Sequence, residues 1–313
     1  MKKDLLSIQD LTSEEVHKIF TLAAMIKKTL KKREYHKPLK EMTMAMIFEK
    51  PSLRTRLTFE TGMFQMGGHA IYLTKNDINM GERESIHDIA KNLERWVEVI
   101  IARVYDHKSV AELARHCTIP VINALSDKEH PCQAITDLFT LKEKWGDLKG
   151  KTLTFIGDGN NTCHSLILLG TMMGMNIIVS GPEQYKPEDE IEKAARDNAS
   201  QSGGSYSFEP DPVSAVKNSD AIYTDVWASM GQEEEAEQRA KDFASYQVNA
   251  QLLASAPESV LIMHDLPAHR GEEITDEVID CEQSIVFDQA ENRLHAQKGI
   301  VVYLVNWFQS QKQ

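Results

Sequence analysis

Pro51-Ser52-Leu53-Arg54-Thr55-Arg56 concentrates two arginines and two hydroxyls directly after the apolar run 42–48. Ser52 is of the N-cap type, and the free backbone N–H groups of a helix start attract anions. With Arg54 and the hydroxyls of Ser52 and Thr55 added, the hexapeptide reads as a phosphate cradle. The alternative is a capped helix whose arginines are merely solvated. A second group is His130-Pro131-Cys132-Gln133, with Asp137 one turn further on. Pro131 suits a first helical position, which leaves His130 at the mouth and Gln133 on the same side three residues later. An imidazole and an amide placed there can both donate to a carbonyl oxygen. Taken alone, His130 reads equally as a capping or surface histidine.

Three further segments follow apolar runs in the second half. Gly157-Asp158-Gly159-Asn160-Asn161-Thr162 invites a dinucleotide reading and fails it: Thr162 stands where the third glycine belongs, and no acidic residue ends the next strand. A glycine turn presenting Asn160 and Asn161 to a small polar ligand fits better. Asp225-Val226-Trp227-Ala228-Ser229-Met230-Gly231 and His264-Asp265-Leu266-Pro267-Ala268-His269-Arg270-Gly271 complete the set. Asp225 ends a strand, where an unpaired carboxylate needs a cationic partner. The acidic run 233–235 reads as the solvated first turn of a helix.

Elements of alternating type must hold these segments, which favours an α/β fold of parallel sheets flanked by helices. Thr12 and Glu15 form a capping-box pattern, and Val16, Ile19, Phe20, Ala23 and Ile26 mark one face of the helix that follows. Strands are expected at 42–48, 70–73, 99–104 and 120–123, with helices at 54–66, 85–94, 109–116 and 133–144. A second series of strands is expected at 152–156, 177–179, 221–224, 261–264 and 285–287, with a Gly/Ser loop at 200–207. The final helix, 290–309, is amphipathic enough to pack back on a domain. The boundary between the two series lies near 142–151. Ligand sites in such sheets lie beyond the carboxyl ends of the strands, where the five segments fall.

Composition narrows the function classes. A net charge of −12 offers no basic face to nucleic acid, and no apolar run reaches membrane-spanning length. Cys117, Cys132, Cys163 and Cys281 lie far apart without metal-ligand spacing, which reads as free thiols in a reducing, cytoplasmic setting.

Taken together with Arg103 in Ala102-Arg103-Val104-Tyr105 and Arg293 in Glu291-Asn292-Arg293, the five segments resemble the carbamoyltransferase family over nearly the full chain, in order. Ser-x-Arg-Thr-Arg and His-Pro-x-Gln mark the family as a whole. Asp-x-Trp-x-Ser-Met-Gly and His-x-Leu-Pro-Ala-His-Arg-Gly are more particular to its ornithine branch. The resemblance implies a first domain, residues 1–145 plus the C-terminal helix 290–313, that binds carbamoyl phosphate, a second, residues 146–289, that binds ornithine, and transfer of the carbamoyl group to the side-chain amine. It implies that Ser52, Leu53 (through its backbone), Arg54, Thr55, Arg103, His130, Gln133 and Arg293 bind carbamoyl phosphate. The amino-acid end of ornithine would be held by Asn161, Asp225, Ser229 and Met230, with Asp265 beside the reacting amine and Leu266 also in contact with ornithine. Arg54, Thr55, Arg103, His130 and Asp265 would carry the chemistry, without metal or organic cofactor. The family assembles as trimers or multiples of trimers, and Asn79 in Asn79-Met80-Gly81 looks like the position that reaches a neighbour's site.

Two departures from the family pattern stand out. Leu53 replaces a common threonine, removing a hydroxyl but not the backbone N–H. Asp265 stands where ornithine enzymes usually carry cysteine; it either faces the acceptor amine or pairs with Arg270. Aspartate as acceptor is disfavoured, because 79–84 and 264–270 lack that branch's lysine loop and Arg-Pro-Leu segment. Putrescine or another amine, and a non-catalytic carbamoyltransferase-like binding protein, remain the competing readings.

Overall fold

The computed structural model of the chain describes residues 3–34, 36–229 and 233–311. In chain order the first series is α1 (Ser13–Lys31), β1 (Thr43–Phe48), α2 (Leu53–Gln65), β2 (His69–Thr74), α3 (Lys75–Ile78), α4 (Ile86–Leu93), β3 (Val99–Arg103), α5 (His107–His116), β4 (Val121–Leu125) and α6 (Pro131–Trp145). The second is β5 (Thr152–Ile156), α7 (Asn161–Met172), β6 (Asn176–Ser180), α8 (Asp189–Ser202), β7 (Ser205–Phe208), α9 (Pro212–Val216), β8 (Ala221–Thr224), α10 (Ala236–Asp242), α11 (Ala250–Leu253), β9 (Leu261–His264), α12 (Asp276–Ile279) and α13 (Val286–Ser310). Two compact units result: residues 1–139 with 291–313, and residues 140–290. The division falls inside α6 and inside α13, not at the Gly146 turn that ends the first helical pattern.

The first unit carries a parallel sheet in the order β2-β1-β3-β4. Its central strands are buried except for the half-buried Thr43 that opens β1, as near-continuous apolar runs covered on both faces must be. Ile47, Ile100, Ala102 and Val110 join Leu113 and Val121 in one core cluster, and a side chain of that size contributes ~1.5–3 kcal/mol on burial. Helix α1 starts where the sequence says: Thr12 accepts from the Glu15 N–H and Glu15 returns to the Thr12 N–H. Within this unit α13 packs on α1, α2 and α6. Tyr303 donates to Glu15 at 2.7 Å and Lys27 to Asn292 at 2.7 Å. A Cβ added to Gly299 would lie 2.8 Å from the Ile19 carbonyl oxygen, so α13 approaches α1 closely there.

The second unit carries a parallel five-stranded sheet, β7-β6-β5-β8-β9. Two expectations fail here. Residues 285–287 are not a strand: the Ile285 N–H bonds the Ile262 carbonyl, but α13 begins at Val286 and Phe287 is exposed. The β-branched and aromatic run misleads because it is the first turn of a helix. Residues 200–207 are not one loop either: Ser202 ends α8, and Ser205–Phe208 is an edge strand. Alternating half-exposure leaves that strand without the apolar run expected of a buried one. Among the described residues no helix is long and apolar enough to cross a membrane.

Candidate active site

In the first unit, cationic and donor groups gather at the carboxyl ends of β1, β3 and β4. Ser52 caps α2, its hydroxyl accepting from the Thr55 N–H at 3.3 Å and donating to the Thr55 hydroxyl at 3.1 Å. Thr55 is buried, while Leu53 is 69% exposed and offers only backbone. Arg54 is half-buried in the same first turn. Arg103 ends β3 and is buried, and its carbonyl accepts from the Glu49 N–H at 2.9 Å.

Pro131 opens α6 at the expected position. His130 is left at its mouth, buried, with its carbonyl accepting the Gln133 N–H at 3.0 Å. Burial, with the positive charges of Arg293 and Arg103 nearby, holds the His130 imidazole well below 6.5. A neutral imidazole keeps one N–H to donate, as stabilisation of a developing oxyanion requires. Burial also pushes the Cys132 thiol up to about 12, against the pull of Arg293, so it is not a nucleophile.

Arg293, on α13, is held from three elements. It donates to the Gln133 amide oxygen, and at 3.0 Å to the Thr55 hydroxyl. With the Gln297 amide turned to satisfy both its ends, Arg293 Nε donates to it at 3.2 Å. Gln133 in turn donates to Asp137 at 2.7 Å, which fixes its amide. Asn79 stands apart. It caps α3 with φ of 45°, and its amide donates to Glu82 at 2.9 Å.

In the second unit, carboxylates gather at the ends of β5, β8 and β9. Asp225 accepts from the Asn160 amide at 2.9 Å and from the Val226 N–H at 2.7 Å. Asn160 also caps α7, accepting from the Thr162 and Cys163 N–H groups. Asn161 is the first residue of α7, and its side chain accepts the Thr162 N–H at 2.9 Å. Oxygens of Asp225 and Asp265 and a ring nitrogen of His264 lie within 4.8 Å of one another.

His264 is fixed from both sides. Its Nδ1 accepts the Leu266 N–H at 2.9 Å, so Nε2 donates to the buried Glu273 at 3.0 Å. Leu266 follows at φ of 60° before a cis Leu266–Pro267 bond. Ser229 is half-buried, and Met230 lies outside the described residues. The pairing of Asp265 with Arg270 is overturned. Arg270 donates to Asp276 at 2.8 Å and to Asp280 at 2.6 and 2.9 Å, whereas the Asp265 carboxylate lies 3.6 Å from His264 Nδ1.

Sequence reasoning did not select Asn160 for Asp225, the Glu273–His264 support, or Arg239. The last donates to Asp158 at 2.8 Å. The signal for Asn160 was present, since an N-cap asparagine beside a strand-end carboxylate has an amide to spare.

Residues 3–143 match the carbamoyl-phosphate-binding domain of aspartate/ornithine carbamoyltransferase, and residues 149–304 match its aspartate/ornithine-binding domain. The chain belongs to the aspartate/ornithine carbamoyltransferase family. It is 52% identical over 303 residues to the anabolic ornithine carbamoyltransferase of Pyrococcus furiosus, covering 97% of this chain and 96% of that one. The solved structure of ornithine carbamoyltransferase from Pyrococcus furiosus superposes with a TM-score of 0.94 over 96% of both chains, at 52% identity. That from Thermus thermophilus gives 0.87 at 42% identity, over 97% of this chain and 99% of that one. The second family match runs into α13, although α13 packs with the first unit from Glu291 onward.

Proposed function

We propose that this chain transfers the carbamoyl group of carbamoyl phosphate to the side-chain amine of ornithine, giving citrulline and phosphate. The convergence of buried Arg103, Arg293, neutral His130 and Thr55 at the strand ends of one unit carries the reading. That is the donor set a dianionic acyl phosphate with a polarisable carbonyl needs. Full-length similarity to ornithine carbamoyltransferases supports the acceptor. In this reading residues 1–139 with α13 bind carbamoyl phosphate through Ser52, the Leu53 N–H, Arg54, Thr55, Arg103, His130, Gln133 and Arg293. Residues 140–290 hold ornithine through Asn161, Asp225, Ser229, Met230, Asp265 and Leu266.

A neutral amine attacks the carbamoyl carbon, and negative charge builds on the carbonyl oxygen. His130 and the arginines stabilise that charge, and the C–O bond to phosphate breaks. The departing phosphate takes the amine's proton, so no protein base is required. Asp265 draws in the side-chain ammonium while Asp225 holds the amino-acid end, and the side-chain proton must leave before attack.

Trimeric assembly is part of the proposal. Leu53, Leu57 and Phe64 on α2 and Ile71 on edge strand β2 are exposed apolar side chains, which suits a subunit contact, with Asn79 reaching a neighbour. The free cysteines suit a cytoplasmic setting. The test is phosphate release from carbamoyl phosphate with a panel of amines, citrulline being measured in parallel. Ornithine is expected to be used in preference to putrescine. Absence of ornithine-dependent phosphate release would defeat the reading, and sedimentation velocity reports the assembly.

A further inference from the structure

Both ends of the segment 225–239 are tied to one three-residue turn. At its start, Asp225 accepts from the Asn160 amide at 2.9 Å. At its far end, Arg239 donates to Asp158 at 2.8 Å, and the same Nη1 reaches back to the Trp227 carbonyl at 3.1 Å. Arg239 Nε donates to Glu235 at 2.9 Å, and its guanidinium lies 4.8 Å from the Tyr185 ring. The turn is itself immobilised, since the Gly159 N–H bonds the Tyr185 carbonyl at 2.8 Å. A Cβ on Gly159 would come within 2.3 Å of the Pro187 nitrogen, so only glycine lets the turn sit there. The Trp227 ring stacks on Phe243 at 6.0 Å, which holds the stretch from its other side.

The ion pair is a poor device for stability alone. The Asp158 and Arg239 side chains are only 10% and 7% exposed. Burial pushes the Asp158 carboxyl up to about 6 against the pull of Arg239, with Asp225 and Glu235 adding to the push. Buried pairs of this kind repay desolvation weakly, and their use lies in fixing one geometry.

We infer that Arg239 is a positioning residue for the acceptor. By holding Asp158, Glu235 and the Trp227 carbonyl together, it sets Ser229 in place relative to Asp225. This rests on the proposed use of Asp225 and Ser229 in holding ornithine. Arg239 touches no reacting atom and acts only through the segment it anchors.

The test compares the intact protein with Arg239→Gln, Arg239→Lys and Asp158→Asn. Ornithine KM is expected to rise on the order of tenfold or more in Arg239→Gln, the scale at which a lost hydrogen bond to a charged group registers. Carbamoyl phosphate KM is expected to stay within about twofold, because its site is built in the other unit. Arg239→Lys is expected to recover only part, since a single ammonium cannot serve three acceptors set around a planar fork. Asp158→Asn, nearly isosteric, keeps the measurement readable if Arg239→Gln folds poorly, and is expected to raise ornithine KM in the same direction. Hydrogen exchange supplies a readout independent of turnover: amides 226–229 are expected to exchange faster in the variants while those of β5 and β8 do not change. Unchanged exchange at 226–229, or KM values for both substrates rising together, would overturn the inference. A wild-type protein that ignores ornithine fails the proposed function instead, and the exchange result still decides whether Arg239 anchors the segment.

Discussion

Replacing Asp265 by asparagine keeps the side chain's shape and removes one of two carboxylates that lie, with His264, within 4.8 Å of one another. Unit charges at that separation interact by ~3.5 kcal/mol at an effective dielectric of ~20. About 11% of the Asp265 side chain reaches solvent, which trims the figure to roughly 2 kcal/mol for an ammonium held beside it. Two consequences follow from this one number. Acceptor affinity is expected to fall about thirtyfold, and the bound amine's pKa to fall by about 1.5 units, because the charged form has lost a partner. The attacking amine must be neutral, so the rising limb of turnover against pH is expected to move to lower pH by about the same interval. Turnover measured across pH at saturating ornithine, for wild type and Asp265→Asn, reads the limb in the enzyme–substrate complex. A limb that stays in place, with ornithine KM unchanged, would refute the assignment of Asp265 to the amine. Pairing with Arg270 cannot then be the explanation, since Asp276 and Asp280 occupy that guanidinium.

Arg54→Ala is expected to lower turnover on the order of a hundredfold or more, as loss of an electrostatic donor does, with circular dichroism unchanged. Arg293→Met strands the Gln133 amide oxygen and withdraws a donor from Thr55. Denaturant unfolding is expected to show a loss of roughly 2–4 kcal/mol, and Arg293→Lys to recover only part. Glu15 gives a pH signature: burial pushes its carboxyl up, but hydrogen bonds from Lys3, Tyr303 and the Thr12 N–H outweigh this and lower it from 4.5 to about 2. Because the folded-state value is depressed, its contribution is present above pH 4.5 and fades as pH falls toward 2. The thermal midpoints of wild type and Glu15→Gln are therefore expected to differ at neutral pH and to converge on acidification through that window.

What was legible in the sequence was local. The Thr12/Glu15 capping box, the Ser52 cap and Pro131 at the start of α6 each depend on residues within one helical turn, and each stands where the spacing puts it. The two sheets were legible because buried parallel strands are apolar runs, and the edge strand β7 was not because its residues alternate half-exposed. The supports of the candidate site lay beyond reach for a different reason. Arg239 meets Asp158 across 81 positions and Arg293 meets Thr55 across 238. No periodicity marks such pairs, and only the strand order brings them together. The glycine turn offers both Asn160 and Asn161, and the resemblance implies Asn161; the role of Asn160 as cap of α7 and donor to Asp225 depends on a contact 65 positions away and carries no sequence pattern.

The strand ends of each unit gather charged groups mostly of one sign. A net charge of −12 says nothing about it, since that charge is spread over the whole chain. Locally, the strand ends of the first unit gather Arg103 and Arg293 around a histidine that burial and those same arginines keep neutral. The strand ends of the second gather Asp225 and Asp265 beside His264, whose ring nitrogens are occupied by the Leu266 N–H and Glu273. A cluster of arginines suits a phosphate dianion, and a pair of carboxylates suits an ammonium. In the proposed function the donor is recognised by the first unit and the acceptor by the second. Under that proposal Asp265, where the resemblance leads one to expect cysteine, bears on the acceptor alone, and the hydrogen bonds joining Ser52, Thr55 and Arg293 do not depend on it.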